Sequence, residues 1–543
     1  MSERESVGDV SDAAVTWLVA DDPCAAVVLG IPGVGDRLTD YSPNGHAARS
    51  AAILDLARRA GNARTDDPAG RIARDVMLDQ FHRWTTAAEA GDHLRDVNIL
   101  SSPPQHVRLA LEFAAPDLLD GLLADVPQAL AGWRDSLALG QQQGLAAARR
   151  QAVAVADQLA TYAEEWLPAL AEARGADSSA ADRARQGFRD TATWLSDVYT
   201  PSAAEENAVG EERYTRGVAA YNGVELDLDD TFAWGWHEIA ELSADLRSEV
   251  ERWRPGVPIT EVRAALDADP AYRIEGVAAL RDHLEALTEQ ATARADGVLL
   301  DLDPRVRECR VELAAQGAAA APYYVPPSED LSRPGTTWYP ARGATDFPRW
   351  WLESVWFHEG VPGHHLQLGA FAAQDDMDRF QRLLGGTSGH AEGWALYAER
   401  LCDEQGWFDE PGTRIGFLSA QLMRAVRVVV DIGLHTGRRI PDGLPGARRR
   451  ITPQVARGLL IESALLEPSF ADSEVDRYLG MPGQAISYKV GERVWLQARD
   501  RARTSPDFDL KDWHAYAMRL GPMGLGQFQA EMDGADLHSP AQP

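Results

Sequence analysis

One short segment of the chain places a histidine and a glutamate just before a pair of histidines. It reads WFHEGVPGHHLQ and covers residues 356–367. Imidazoles and carboxylates are ligands that zinc prefers, and a carboxylate beside the metal can act as a general base. The usual helical zinc motif, H-E-x-x-H, has its histidines at positions i and i+4. Here position i+4 is Pro362, and the next histidines stand at i+6 and i+7. The segment therefore predicts a zinc site with unusual spacing.

The Pro-Gly pair inside this segment offers a way to correct the spacing. In an unbroken helix, residue i+7 lies about 10.5 Å along the axis from residue i, too far for both imidazoles to reach one metal ion. Pro362 removes an amide donor and Gly363 permits unusual backbone angles, so we expect the helix to loop out here. Either His364 or His365 could then lie beside His358. The resumption of a helical pattern at residue 365 favours His365.

Two glutamates complete the predicted Zn²⁺ centre. Glu359 follows His358 directly, and in helical zinc hydrolases this neighbour takes a proton from the water that zinc activates. Glu392 lies in an apolar stretch of a second predicted helix, where an unpaired carboxylate would be costly, so it is the best candidate for a third ligand. The alternatives are a surface glutamate at 359 and an arginine-paired glutamate at 392. Glu399 is a candidate to support a ligand.

Five further polar residues are candidates for contact with a substrate, with core packing or ordinary ion pairs as the alternative for each. Tyr488 and His435 could stabilise the oxyanion that forms when water attacks a carbonyl. Arg427 and Lys489 could bind a substrate carboxylate. Tyr339 could contact substrate from a predicted strand just before the zinc segment.

Composition narrows the class of protein. The 543 residues are 45% hydrophobic, enough for a large core, and carry a formal charge of −30. Such an acidic surface repels phosphate, so we expect no binding to nucleic acid or to anionic membranes. We find neither an N-terminal signal pattern nor an apolar run long enough to span a bilayer. Three widely spaced cysteines indicate free thiols, and we expect a cytoplasmic monomer or homodimer.

The pattern of apolar and polar residues along the chain predicts three regions. Residues 1–45 are acidic and broken by proline and glycine, which predicts an irregular lead-in with one short helix. Residues 46–300 show helical periodicity almost throughout and predict an N-terminal helical lobe. Residues 301–543 predict a catalytic lobe, with three strands at 305–313, 322–327 and 336–340, followed by helices. These strands predict a small antiparallel sheet beside the zinc helix.

Four segments together resemble the bacterial family labelled domain of unknown function 885. They are residues 358–367, 392–397, 427–435 and 482–489. The family is similar to helical gluzincin-type zinc metallopeptidases, of which this segment would be an H-E-x-x-P-G-H-H variant. The resemblance implies a mainly α-helical, two-lobed fold with a central cleft. It also implies a ligand set of His358, Glu392 and one of His364 and His365.

The expected function is that of a zinc metallopeptidase that cleaves short peptides. In this reading Glu359 assists the attack of water on a carbonyl and later passes its proton to the leaving amine. Two alternatives stay open at this point. One is a zinc amidohydrolase that acts on a non-peptide small molecule, and the other is a binding protein that keeps a metal site without catalysis.

Overall fold

The computed structural model describes residues 5–65, 67–314 and 321–534, and most of them are helical. The first part of the chain forms α1 (Val7–Asp21), α2 (Pro23–Leu29), α3 (Pro43–Asn62), α4 (Pro68–Glu89), α5 (Pro103–Phe113), α6 (Leu119–Gln142), α7 (Arg149–Thr161), α8 (Leu167–Arg174), α9 (Ser178–Trp194) and α10 (Glu211–Asn222). The middle part forms α11 (Leu228–Trp253), α12 (Ile259–Asp267) and α13 (Val277–Ala295). The prediction of a mainly α protein is confirmed.

The last part of the chain returns to helices after a short β region. These helices are α14 (Arg349–Glu359), α15 (His364–Ala372), α16 (Arg379–Leu384), α17 (Ser388–Glu404), α18 (Pro411–Thr436), α19 (Pro453–Ala464), α20 (Pro468–Gly480), α21 (Ser487–Ala502), α22 (Leu510–Leu520) and α23 (Leu525–Asp533). Many begin with proline in the first turn, where its missing amide donor has no cost. Thr452 caps α19 through its hydroxyl, as its position before Pro453 predicts.

The N-terminal region is more regular than predicted. α1 and α2 occupy residues 7–29, where we expected an irregular lead-in with one short helix. Ser6 starts α1 with a capping box, in which the Ser6 hydroxyl accepts from the Asp9 amide and the Asp9 carboxylate accepts from the Ser6 amide. The apolar face of α1 is buried and comprises Val7, Val10, Ala14, Val15 and Leu18.

Five short strands form two small sheets. They are β1 (Arg273–Glu275), β2 (Arg310–Leu313), β3 (Tyr323–Val325), β4 (Thr336–Tyr339) and β5 (Asp346–Pro348). β1 pairs antiparallel with β5, a pairing that the sequence pattern did not predict. The other sheet has the order β2-β4-β3, with β2 parallel and β3 antiparallel to β4. The prediction of an antiparallel sheet is therefore wrong for this sheet, which is mixed.

The largest hydrophobic core extends along α10 to α23. Its buried residues include Tyr214, Leu246, Trp350, Trp394 and Phe528, which lie on both sides of residue 300. This core thus spans residue 300, and the predicted division into two lobes there stays a prediction. A second core joins residues between Cys24 and Ala203. No helix among the described residues has the length and apolar content that crossing a bilayer requires.

Two helix pairs position the residues predicted to do chemistry. α18 is buried along almost its whole length and packs against α14. α17 and α21 cross where Gly393 meets Gly491, and a Cβ on Gly393 would lie 2.5 Å from the Gly491 backbone. Only glycine permits so close a crossing. The crossing brings Glu392 of α17 toward Tyr488 of α21.

Candidate metal centre

The predicted interruption of the zinc helix is present. α14 ends at Glu359 and α15 begins at His364, with a tight loop between them. The Gly363 amide still donates to the Phe357 carbonyl at 3.0 Å, and a Cβ on Gly363 would lie 1.9 Å from the His358 carbonyl oxygen. Glycine at 363 is therefore required by the close approach of the chain to the end of α14.

A tryptophan from α17 holds this loop in place. The Trp394 indole donates to the carbonyls of Pro362 and Gly363, at 3.0 and 3.1 Å. The His365 amide donates to the Gly360 carbonyl at 3.0 Å. The loop is thus fixed by hydrogen bonds on both sides, which limits where the histidines of α15 can lie.

Three side chains meet at one point. His358 Nε2 lies 3.1 Å from Glu392 Oε2, and His364 Nε2 lies 3.4 Å from the same oxygen. One ligand atom of each residue lies within 4.8 Å of the other two. Metal–ligand bonds of about 2.1 Å in a tetrahedral zinc site place ligand atoms roughly 3.5 Å apart, so the cluster fits a small metal ion.

His365, which the sequence pattern favoured as the ligand, does not join this cluster. Its Nδ1 lies 2.9 Å from the Tyr324 hydroxyl, and its side chain packs against Gly335 just before β4. Burial lowers the pKa of His365 to about 4, so the ring is neutral. Successive helical residues point about 100° apart, and the restart of α15 directs His364, not His365, toward Glu392. The preference for His365 is corrected to His364.

A buried carboxylate orients His358. Glu399 Oε1 lies 2.8 Å from His358 Nδ1, while Ser354 and Arg424 also contact this carboxylate at 2.7 and 3.3 Å. Although burial opposes it, Arg424 and His358 hold the pKa of Glu399 below its usual value. An Nδ1–H that donates to a carboxylate leaves the Nε2 lone pair of His358 directed at the cluster, as metal-binding histidines require.

Replacing Glu399 with glutamine should therefore weaken zinc binding by about 10- to 100-fold, because the ring of His358 would lose its charged acceptor. The affinity can be measured by competition with a chromophoric chelator. Glu404→Gln is a control on the same helix, since Glu404 pairs with Arg499 away from the cluster. An affinity equal to that of the unmodified protein would show that Glu399 does not orient a ligand.

Glu359 lies next to the cluster and is not held by a partner. It is half-buried, and no hydrogen bond to it occurs within residues 5–65, 67–314 and 321–534. Burial raises the pKa of Glu359 to about 8, with the Glu392 carboxylate acting in the same direction and His364 against it. A carboxylate that holds a proton near neutral pH is suited to general acid–base chemistry.

Tyr488 packs against one residue of the cluster. Its ring stacks on His358, with centroids 5.9 Å apart. Arg477 donates to the Tyr488 hydroxyl at 3.1 Å, and the guanidinium of Arg427 lies 4.4 Å from the ring centroid. Because the phenol oxygen accepts from Arg477, its own proton is available to a further acceptor. The predicted role of Tyr488 as a donor to an oxyanion stays a prediction.

The guanidinium of Arg427 is already paired with other side chains of the core. It ion-pairs with Glu474 at 2.6 Å and donates to the Tyr478 hydroxyl at 3.1 Å. Both partners are buried with it. The prediction that Arg427 binds a substrate carboxylate is therefore corrected, because the carboxylate that it binds is that of Glu474. Arg427 also packs against the ring of Tyr488.

His435 faces a different part of the core. Its Nε2 donates to the Tyr478 carbonyl at 3.0 Å, and its ring stacks on Tyr214. Burial lowers the pKa of His435 to about 4. The described contacts do not bring it to the cluster, so they do not support its predicted role in stabilising an oxyanion.

Lys489 is fully buried in a polar network. Its ammonium donates to Glu492, Gln421 and Glu238, at 2.7, 2.9 and 3.2 Å. These contacts use all three ammonium donors. The prediction that Lys489 binds a substrate carboxylate is corrected, because none of its donors is left for a ligand.

Lys489→Met should lower the free energy of unfolding by about 3 kcal/mol, because it leaves the buried Glu492 carboxylate with one cation, Arg400, in place of two and removes the donor to buried Gln421. Urea unfolding measures this loss. Lys511→Met is the matched control, since Lys511 pairs with Asp301 at the surface and should cost less than about 0.5 kcal/mol. An equal effect of the two substitutions would contradict the buried network.

Tyr339 lies at the far end of β4 from the cluster. Its ring packs edge-on against Phe347, and it lines a cavity of about 500 Å³ beside the start of α14. β4 is the central strand of its sheet, so it has no free edge to which an extended peptide could add. The predicted contact of Tyr339 with substrate stays a prediction.

Three residues that support the site were not singled out by the sequence pattern. Ser354 could have been found, since it precedes His358 by one helical turn and so shares its face. Trp394 stood in the predicted second helix, but nothing in the sequence showed that its indole reaches the loop. Arg477 carried no signal, because its contact with Tyr488 joins two helices.

Comparisons with known proteins support the fold. A "putative lipoprotein" of Colwellia psychrerythraea has a solved structure with a TM-score of 0.84, at 20% identity over 97% of this chain and 98% of that chain. A "putative lipoprotein of unknown function" from Shewanella oneidensis has a TM-score of 0.70, at 17% identity over 97% and 99%. At these identities the likeness shows the fold, and the expected cytoplasmic location stays a prediction.

No curated protein matches the chain significantly. The family described as "Bacterial protein of unknown function (DUF885)" matches residues 23–532, nearly the whole chain and all of the residues of the cluster. The chain belongs to this bacterial family, DUF885.

Proposed function

We propose that this protein is a zinc-dependent hydrolase that cleaves short peptides. The observation that carries the proposal is the cluster of His358, His364 and Glu392, with the unpaired carboxylate of Glu359 beside it. Two imidazole nitrogens and a carboxylate oxygen converge as zinc ligands do, and the set leaves room for a further ligand. These three side chains would hold the ion.

The chemistry divides between the ion and the chain. Zinc, when bound, supplies a Lewis acid that polarises a carbonyl and lowers the pKa of water. Glu359 accepts a proton from the attacking water and returns it to the leaving amine. Tyr488 donates a hydrogen bond to the oxyanion that develops on the substrate carbonyl. Glu399 keeps His358 in the orientation that the site requires.

The burial of the cluster supports a small substrate. The side chains of His358, His364 and Glu392 are only 3, 12 and 19% exposed. An amide bond must enter this recess to reach them, which a folded protein cannot do without local unfolding. Short, flexible peptides meet that requirement and carry the amide that the proposed residues can hydrolyse.

The test compares two classes of substrate, peptides and acylated amines, and two proteins that differ only at residue 359. Zinc-reconstituted protein is incubated with a library of short peptides and with a panel of acylated small amines, and Glu359→Gln protein serves as the control. We expect peptide cleavage that the control lacks. Turnover of the amines alone would overturn the peptidase assignment, and zinc binding without turnover of either set would overturn the hydrolase assignment.

A further inference from the structure

The cavity beside the start of α14 is lined mostly by apolar and aromatic side chains. They include Trp350, Trp351, Tyr339, Pro340, Leu466 and Phe470. Trp351 and Phe470 contact each other edge-on, with ring centroids 6.0 Å apart. The volume of about 500 Å³ exceeds what one large side chain needs.

Two carboxylates that line this cavity are engaged with neighbouring groups. Asp346 pairs with Arg273 across β1 and β5. Asp267 pairs with Arg263 at 3.2 Å and accepts from the Trp350 indole at 2.8 Å. Because these two carboxylates already have partners, a ligand in the cavity would mainly contact its apolar wall.

Two helices lead from this cavity to the metal centre. On α14, Trp351 lines the cavity and His358 follows seven residues later, about 10.5 Å along the axis. On α20, Phe470 lines the cavity and Arg477, which holds Tyr488, again follows seven residues later. α14 therefore joins the cavity to a residue of the cluster itself, whereas α20 joins it to Arg477, which contacts the cluster through Tyr488.

β4 connects the same two places in the opposite direction. A Cβ on Gly360, just after the zinc helix, would lie 3.8 Å from the Thr337 hydroxyl. Two residues later, Tyr339 lines the cavity. Along α14, Trp351 of the cavity thus lies about 10.5 Å from His358 of the cluster, which is the length of roughly three extended residues.

We propose that this cavity is a substrate subsite that binds a large apolar side chain of a peptide, about three residues from the bond that is cleaved. The inference rests on the proposed function and deepens it. Trp351 and Phe470 would select the side chain that binds in this subsite, and Tyr339 would contact the same side chain. Dipeptides are too short to use this subsite, so oligopeptides with a distal aromatic or large aliphatic residue are the preferred class.

The test measures binding, so it does not depend on turnover. Glu359→Gln protein is titrated with blocked hexapeptides of alanine and serine in which one phenylalanine moves from position to position. The same hexapeptide without phenylalanine is the reference. We expect one position to raise affinity by about tenfold. Phe470→Ala or Trp351→Ala should remove this gain and leave the affinity for the reference peptide unchanged.

Two further variants separate loss of the subsite from loss of the fold. Phe508→Ala removes a comparable half-buried ring near Arg503 and should retain the gain. Phe470→Leu keeps an apolar side chain and should retain part of it, while a thermal melt checks that each variant folds. A gain that persists in Phe470→Ala, or no gain at any position, would overturn the subsite.

The experiment also distinguishes this inference from the proposed function. A gain that depends on Phe470, together with wild-type protein that hydrolyses no peptide, would support the subsite and overturn the peptidase assignment. Peptide hydrolysis by the wild type, with equal affinity of the Glu359→Gln protein for all hexapeptides, would support the proposed function and overturn the subsite. Where wild-type protein cleaves the best peptide, the phenylalanine should lie about three residues from the new terminus.

Discussion

Glu359→Gln should lower the rate of peptide hydrolysis by about 100- to 10,000-fold while zinc stays bound, because an amide cannot accept the proton that a general base must take. The side chain keeps its size and lies beside the cluster without being one of its three members. The loss should appear in kcat. Single-turnover kinetics and metal analysis of the same sample measure both quantities.

Glu353→Gln is the matched control for this substitution. Glu353 lies on the same helix and is buried, but it faces Arg349 and His283 on another side of α14. Its replacement should leave hydrolysis within about twofold of wild type, as expected for a change outside the site. Full activity in the Glu359→Gln protein would remove the general-base role from Glu359.

The second large effect distinguishes two adjacent histidines. His364→Ala should abolish stable zinc binding and hydrolysis together, since it removes one of three ligand atoms from the cluster. His365→Ala should retain zinc, because His365 contacts Tyr324 and Gly335. Metal content after dialysis and activity on one peptide check both variants.

His365→Ala is not expected to be silent. Removing a buried ring leaves a cavity and should cost about 2 to 4 kcal/mol of stability. Stability and metal content therefore separate the two positions: one variant loses metal, and the other loses stability but keeps metal. Loss of zinc from His365→Ala with retention in His364→Ala would reverse the assignment.

Helices and helix breaks were predictable where they depend on residues that are close together in the sequence. Helices were expected after the predicted strands, and α14 to α23 occupy that part of the chain. The break at Pro362 and Gly363 follows from what proline and glycine do to a helix. Only one short helix was expected where α1 and α2 lie, because acidic residues on the exposed face of α1 hide five apolar positions at helical spacing.

Side-chain direction after an irregular loop was not predictable. Which of His364 and His365 reaches Glu392 depends on where α15 restarts, and a shift of one residue turns a side chain by about 100°. Glu474, the partner of Arg427, lies on another helix, as do Gln421 and Glu238, which contact Lys489, so sequence spacing could not show these contacts. Glu492 follows Lys489 by three residues on α21, and it is the one partner that helical spacing could have indicated. β1 and β5 were missed because strands of three residues have almost no pattern.

The central claim is that His358, His364 and Glu392 form one metal site, and the zinc content of the reconstituted protein tests it most directly. The protein is stripped with chelator, reloaded with zinc, freed of excess metal and assayed by mass spectrometry beside Glu392→Gln. We predict about one zinc per chain in the wild type and a large loss in the variant. A wild type that holds well below one zinc per chain, or a variant that holds as much as the wild type, would contradict the account.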